Sequence, residues 1–398
     1  MDALIHLRRS VLPAVAAGAL AGCGLASDAP ADSGAARVRA VDPFAQRPDF
    51  FPLGVYLQSP QLAEQWRAVG VNMIAPVNGH LTLDTLSRLA ALGMVAGGKA
   101  SDALPLDLAG ETLAFLVAED EPDNAQPAKD GSYGPCRSHG ELDAEATHLR
   151  KVGGGRPILR NFGRGLADPA WPGRGKCTGQ EDSYYPAAIA SADIVSFDDY
   201  PVAHGAPLEE VAQGARRLRG YVEQAGGGQV QWGIIEVSAI FGGRQPSPEE
   251  IRSMAWMHII NGARGLVFFP WQVGEKGERI REDALFQSPS AVEGLTALTA
   301  EISGLSPVIK AGRVAAALVE CDRPHSAMAR VYRGDAYVFI VNESPQPAEV
   351  TFGVKDFAGG TISVVGGAQG APEASGGRFA DRLAGYEAKI YRISGTRT

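Results

Sequence analysis

Two short stretches hold the residues best suited to chemistry. In the first, the apolar run Leu113 to Val117 is followed by Ala118, then Glu119-Asp120-Glu121 and Pro122. In the second, the apolar run from Val230 ends in a lone carboxylate, Glu236. Apolar runs this short read as strands buried on both faces. Ionised carboxylates at their ends cannot stay buried unpaired, so each strand should emerge into a polar cleft. Pro122 turns the chain away after the first acid cluster. Glu121 and Glu236 are therefore expected to face each other across one site. Two carboxylates flanking a cleft suit glycosidic bond cleavage: one protonates the departing oxygen, and the other attacks the sugar carbon or steers water to it.

The elements needed to bring these stretches together recur evenly along the chain. Eight apolar runs, starting near residues 51, 71, 94, 113, 157, 193, 230 and 265, alternate with amphipathic stretches or glycine-rich loops. Ser247-Pro248-Glu249-Glu250 has the cap, first-turn proline and acids of a helix start. This pattern predicts a (β/α)8 TIM barrel over 49–311. An open doubly wound sheet is less consistent with eight even units, and no Gly-x-Gly-x-x-Gly or phosphate-loop pattern follows a strand. After Gly312, short strand-like runs separated by Gly, Pro and Asn predict a small antiparallel β-sandwich over 312–398.

In such a barrel the site residues sit where strands end. Those positions provide Tyr56, Asn78, Lys99, Asp120, Asn161, Asp199, Tyr200, Trp271 and Gln272 as candidate substrate-binding residues. Aromatic faces stack on sugar rings, and the amides suit hydroxyl recognition. Of Asp198 and Asp199, one is equally suited to capping the turn before Pro201.

The 398-residue chain is 45% hydrophobic and 21% charged, an ordinary globular composition. A net charge of -8 and the lack of a basic stripe exclude nucleic acid as an expected partner. The histidines show no ligand spacing, so neither a catalytic metal nor another cofactor is expected. No Gly-x-Ser-x-Gly elbow marks a serine hydrolase. Arg8-Arg9, an apolar stretch from Val11 to Leu20 and small residues after it read as a secretory signal over 1–22. Residues 23–48 read as a flexible tether. In an oxidising compartment Cys136 and Cys177, both in glycine-rich loops, are candidates for a disulfide, leaving Cys321 as a thiol.

Two resemblances extend this reading. Leu20-Ala21-Gly22-Cys23 resembles the bacterial lipobox, which implies a lipid on Cys23, a membrane attachment and a place in the cell envelope, facing periplasm or exterior. The order of strand-end residues over roughly 50–310 resembles clan A of the glycoside hydrolases: an acid pair after strand four, Glu after seven, Trp after eight. That resemblance implies a retaining double displacement on a carbohydrate, with Glu121 as acid/base and Glu236 as nucleophile. It also implies that Tyr200 hydrogen-bonds the nucleophile and Trp271 floors the sugar subsite. Asp120 departs from the clan, which has Asn there. The Asp-Glu pair also resembles hexosaminidases that use the substrate's acetamido group as nucleophile, with Asp120 orienting the acetamide. A non-catalytic glycan-binding barrel is the remaining alternative.

Overall fold

The structure, a computed structural model, describes residues 42–102, 104–105, 109–124, 130, 135–168, 170–171, 181–357, 360–367 and 372–395. The signal, Cys23 and residues 24–41 of the expected tether, and Cys177 lie outside the described residues, whereas residues 42–48, expected to belong to that flexible tether, pack on the barrel with Phe44 buried in its filling. Cys136 is described; its expected partner is not.

Nine parallel strand segments form one sheet: β1 (Leu53–Val55), β2 (Met73–Ile74), β3 (Val95–Gly98), β4 (Leu113–Val117), β5 (Ile158–Phe162), β6 (Ile194–Phe197), β7 (Val230–Gln231), β8 (Gly233–Glu236) and β9 (Leu266–Phe269). The order is β7-β6-β5-β4-β3-β2-β1-β9-β8. Its two edge segments are consecutive in the chain and flank only Trp232, so the sheet curls into a nearly closed barrel. The Trp232 amide still donates to Val195 O at 2.8 Å, and the Gly233 amide donates to Gly265 O at 3.0 Å. The apolar run 230–236 is thus one barrel stave, interrupted where it passes from one neighbour to the other.

Period-two alternation sorts each stave. Phe115, Leu159, Ile194, Trp232, Ile234 and Val267 point inward and fill the barrel with Phe44 and Phe50. Val55, Ile158, Phe162, Val195, Phe197 and Ile235 point outward against the helices. Trp232 is fully buried, edge-on to Phe115 at 5.3 Å and stacked on Phe44 at 6.4 Å.

The helix start at Ser247 is a capping box: Ser247 Oγ accepts from the Glu250 amide at 3.2 Å, and Glu250 Oε2 accepts from the Ser247 amide at 2.8 Å. That box opens helix Pro248–Ile260, which packs on the β8 stave and on helix Pro289–Ala311.

Beyond the barrel run two antiparallel sheets. One holds β12 (Arg313–Val314), β14 (His325–Tyr332), β15 (Asp335–Asn342), β17 (Thr361–Val364) and β20 (Ala388–Ser394). The other holds β13 (Ala317–Cys321), β16 (Ala348–Val354), β18 (Glu373–Ser375) and β19 (Arg378–Leu383). Val338 and Tyr391 of the first sheet share an apolar cluster with Phe352 and Phe379 of the second. The pattern of apolar runs did not predict β18 and β19. In β19 only Phe379 and Leu383 are deeply buried, too few apolar positions to stand out. Trp256 meets Phe339 at 5.5 Å, and Arg216 makes a two-pronged pair with Glu343 at 2.7 and 3.0 Å, joining these sheets to the barrel helices.

Removing the plug tests the closure. Trp232→Ala is expected to destabilise the protein by about 3–5 kcal/mol through cavity formation, read as a lower urea midpoint. A shift under about 1 kcal/mol would show that the barrel does not depend on this side chain.

Candidate active site

Parity brings one group of strand-end residues together. Asn161 at the end of β5 points inward, and its Nδ2 donates to Asp120 Oδ1 at 3.0 Å and to Asp198 Oδ1 at 2.9 Å. Ser196 Oγ donates to Asn161 Oδ1 at 2.9 Å, which fixes the amide with its N–H groups toward the acids. The Tyr56 hydroxyl donates to Asp120, and the Tyr200 hydroxyl to Asp198. Glu121 completes the acidic group, with Oε2 accepting from Asn124 Nδ2 at 2.8 Å.

The local chain path explains how Glu121 reaches this place. Its φ is +45°, a left-handed conformation that a side chain beyond glycine disfavours. The surrounding bonds hold it there: its amide donates to Asn161 O at 3.1 Å, and its carbonyl accepts from the Asn124 amide at 3.1 Å. Asp123, buried two residues on, accepts from the Gly163 amide and from the Tyr185 hydroxyl, each at 2.8 Å. These bonds tie the loop after β4 to the loop after β5. Strain at such a position is kept only where the neighbours over-determine it.

The group opens into a cavity of about 180 Å3. Asp120, Glu121, Asn161 and Asp198 line one flank, from β4, β5 and β6. Tyr56, Ile234, Phe269 and Val273 line the opposite flank, with Phe241 and Arg279 also in the lining. Phe269 supports both tyrosines, at 5.9 Å from Tyr56 and 5.3 Å from Tyr200. Burial, reinforced by the charges of Glu121 and Asp120, pushes the Asp198 carboxyl well above its ordinary range, while Asn161 and Tyr200 partly offset the rise. Burial and the neighbouring acids likewise hold both tyrosines protonated. Three carboxylates this close do not all ionise together.

Other expected site residues lie elsewhere. Glu236 is fully buried and is not part of this cavity's wall. Its parity points it inward, but its Oε1 accepts from the Val202 amide at 2.7 Å and its Oε2 from the Ala203 amide at 3.2 Å. It therefore does not face Glu121 across open space as the sequence suggested. Burial pushes its carboxyl up to about 8, partly offset by those two amides. Asp199 points outward, 3.6 Å from Arg164 Nε, and burial pushes it up to about 7. Asn78 Nδ2 donates to Glu282 at 3.3 Å, and Lys99 Nζ to Gly79 O at 3.2 Å, both outside the cavity lining. Trp271 is half-buried and donates to Leu57 O at 2.8 Å; the aromatics in the lining are Tyr56, Tyr200, Phe241 and Phe269. Gln272, in β10 (Gln272–Val273), pairs with Arg281 in a hairpin whose return strand, β11 (Arg279–Arg281), brings Arg279 to the rim. Glu119 turns outward to Arg137, and Arg160 to Glu145 at 2.9 Å.

Sequence reasoning weighed Asp198 against Asp199 and carried only Asp199 into the site, and it passed over Phe241, Phe269 and Arg279. For Asp198 the signal was present: it shares parity with Ile194 and Ser196, which point inward. Phe269 shares parity with Val267 in the same way. Phe241 and Arg279 come from loops and carry no periodic signal.

No protein-family model matches the sequence, and no curated protein matches it. Solved structures of similar fold exist. An Anoxybacillus α-amylase, of a glycosyl hydrolase subclass, superposes with a TM-score of 0.51 at 10% identity, over 88% of this chain and 99% of that one. An α-amylase from Geobacillus thermoleovorans, solved with acarbose, gives a TM-score of 0.52 at 10% identity, over 87% and 99%. At such identity the likeness is one of fold.

The buried Glu236 makes a pH-dependent contribution. Its folded-state value is raised, so the stability it contributes is full below about 4.5 and is lost as pH rises through about 8. The difference in urea midpoint between the native protein and Glu236→Gln is expected to shift in favour of the variant from pH 5 to pH 8.5. A difference that stays constant over that range would rule out this coupling.

Proposed function

We propose that this chain is a glycosidase acting at the acidic mouth of the barrel, on a sugar bearing a 2-acetamido group. The observation that carries this reading is the one-sided placement of the acids. Asp120, Glu121 and Asp198 share one flank, and the lining opposite is mainly aromatic and aliphatic. A double displacement needs its two carboxylates on either side of the sugar. Within this cavity, an attacking group from the substrate itself fits better. Fold likeness to two α-amylases supports the coarser part of the reading, that the architecture suits carbohydrate chemistry.

In this mechanism the acetamido carbonyl oxygen attacks the anomeric carbon as the glycosidic C–O bond breaks. Glu121, protonated, gives its proton to the leaving oxygen. Asp120 accepts from the acetamido N–H and balances the positive charge of the oxazolinium ring that forms. Water then adds at the anomeric carbon and reopens the ring, and Glu121 takes the water's proton. Net configuration is retained. Asp198 shares a proton within the cluster, and Asn161 keeps Asp120 aimed. Phe241, 45% exposed at the rim, offers a face for the sugar to stack on. In this scheme Glu236 is a strut, not the nucleophile. Carbohydrate is the partner, and the scheme requires no cofactor.

The same proposal covers the address. Residues 1–22 direct export, Cys23 carries lipid, the stretch from 23 up to the packed residues 42–48 tethers the barrel of 49–311, and the β-sandwich of 312–398 is structural. Cys136 and Cys177 pair. Cys23→Ala is expected to move the protein from the membrane to the soluble fraction; unchanged membrane recovery removes the anchor.

Activity separates the chemical alternatives. Glu121→Gln is expected to lower kcat about 10²–10⁴-fold on nitrophenyl N-acetylhexosaminides, while Glu236→Gln retains kcat within about tenfold. A thiazoline inhibitor should block the native enzyme. A loss of kcat in Glu236→Gln as deep as in Glu121→Gln, with no thiazoline effect, would restore the two-carboxylate double displacement. Glycan binding without release by the native protein would leave a binding barrel.

A further inference from the structure

A second cavity, of about 700 Å3, lies at the other end of the barrel. Its wall includes Val230, Gln231 and Arg264, at the start of β7 and just before β9, together with helix Glu209–Gln224 and strands β12–β14. The acidic cavity, by contrast, is lined from the strands' C-terminal ends. Three arginines, Arg219, Arg264 and Arg330, line the second cavity. We propose that it is a binding site for a phosphate-type oxyanion, with Arg330 as its central donor.

The charges in the wall do not balance. Arg219 is answered by Glu223 at 3.4 Å on the same helix. Arg264 donates to the carbonyl of Ile309, and Asp42 is its nearest acidic influence. Asp42 is itself engaged, its Oδ1 accepting from the Phe44 amide at 2.8 Å. Lys310 stands beside them, donating to the carbonyls of Phe44, Arg47 and Phe50 at 2.7 to 3.1 Å. Arg330 has no ion pair or side-chain hydrogen bond among the described residues, and its Nε is buried without a partner. Burial and the two neighbouring arginines push its guanidinium down to about 10, so it remains charged at neutral pH.

Other arginines of this chain, from the fully buried Arg160 to the more exposed Arg216, are treated differently. Arg160 meets Glu145, Arg216 meets Glu343 and Arg252 meets Glu301, all below 3 Å at the closest approach. A guanidinium that is half-buried, unpaired and near two others needs an anion, and its planar fork of donors matches two oxygens of a phosphate. The chain's overall charge of -8 makes this local excess of cations more specific. The phosphate group has two sources, a free oxyanion or an anionic phospholipid headgroup. The site does not depend on the glycosidase reading, because its residues are at the opposite end of the barrel.

Thermal unfolding in inorganic phosphate, against chloride at matched ionic strength, tests the site in the full chain. The native midpoint is expected to rise with phosphate and saturate. Arg330→Gln should abolish the rise, and the exposed Arg219→Gln, which leaves the buried wall intact, should weaken it. Flotation with phosphatidylcholine vesicles, with and without phosphatidylglycerol, distinguishes the sources. Arg330-dependent flotation only with phosphatidylglycerol assigns the headgroup, and a saturating phosphate effect without flotation assigns the free oxyanion. A midpoint that rises equally in the native protein and both variants is general salting-out and overturns the proposal. So does the absence of both effects.

Discussion

Everything at the acidic mouth depends on one amide. Asp120 and Asp198 both lie against Asn161, and two ionised carboxylates so placed repel each other strongly where water is scarce. Asn161 answers with its two N–H groups, one to each acid. Ser196 makes that orientation obligatory, because a hydroxyl donating to the amide oxygen leaves only N–H groups for the acids. The two tyrosines then supply one further donor to each carboxylate. The donors that Asn161, Tyr56 and Tyr200 present to Asp120 and Asp198 are all neutral. Among these neutral donors the buried Asp198 keeps a raised affinity for its proton.

The barrel makes this economical. Alternation sends Asn161, Ser196 and Asp198 inward while their neighbours Arg160, Phe197 and Asp199 go outward. Each stave therefore serves two environments within consecutive residues. Arg160 is fully buried on the helix side and pairs with Glu145, while Asn161 acts at the mouth. Substitution of one need not disturb the chemistry of the other, provided the stave stays in register. Register in turn rests on the packed interior, where Trp232 spans the break between β7 and β8.

This alternation also shows what was legible beforehand. Short apolar runs revealed all eight staves, because burial on both faces keeps most positions of a stave apolar. The acid cluster after β4 was legible for a related reason: three adjacent acids cannot all follow such a run into the core. Asp198 was within reach, since counting two from Ser196 selects it over Asp199. Glu236 was not. Its parity is inward, and only the amides of Val202 and Ala203, some 34 positions away, draw its carboxylate out of the cavity. A contact between remote segments leaves no periodic trace. Arg279 is similar, since it reaches the rim through a hairpin whose fold is set by turn geometry.

The distribution of charge along the barrel constrains what each end admits. A mouth lined by three acids that share protons still disfavours anionic sugars, because a uronate or sulfate there would meet the charge the cluster keeps in a low-dielectric pocket. Arg279 at the rim is exposed and stacked over Trp271 at 5.6 Å. A neutral sugar that presents an N–H to Asp120 escapes this repulsion and adds a hydrogen bond in a place where the acid can only accept. The far end has the opposite bias, with arginines that outnumber their acidic neighbours. One closed sheet thus separates two fields of opposite sign by the length of its staves, so that an anion drawn to one end has no reason to compete at the other.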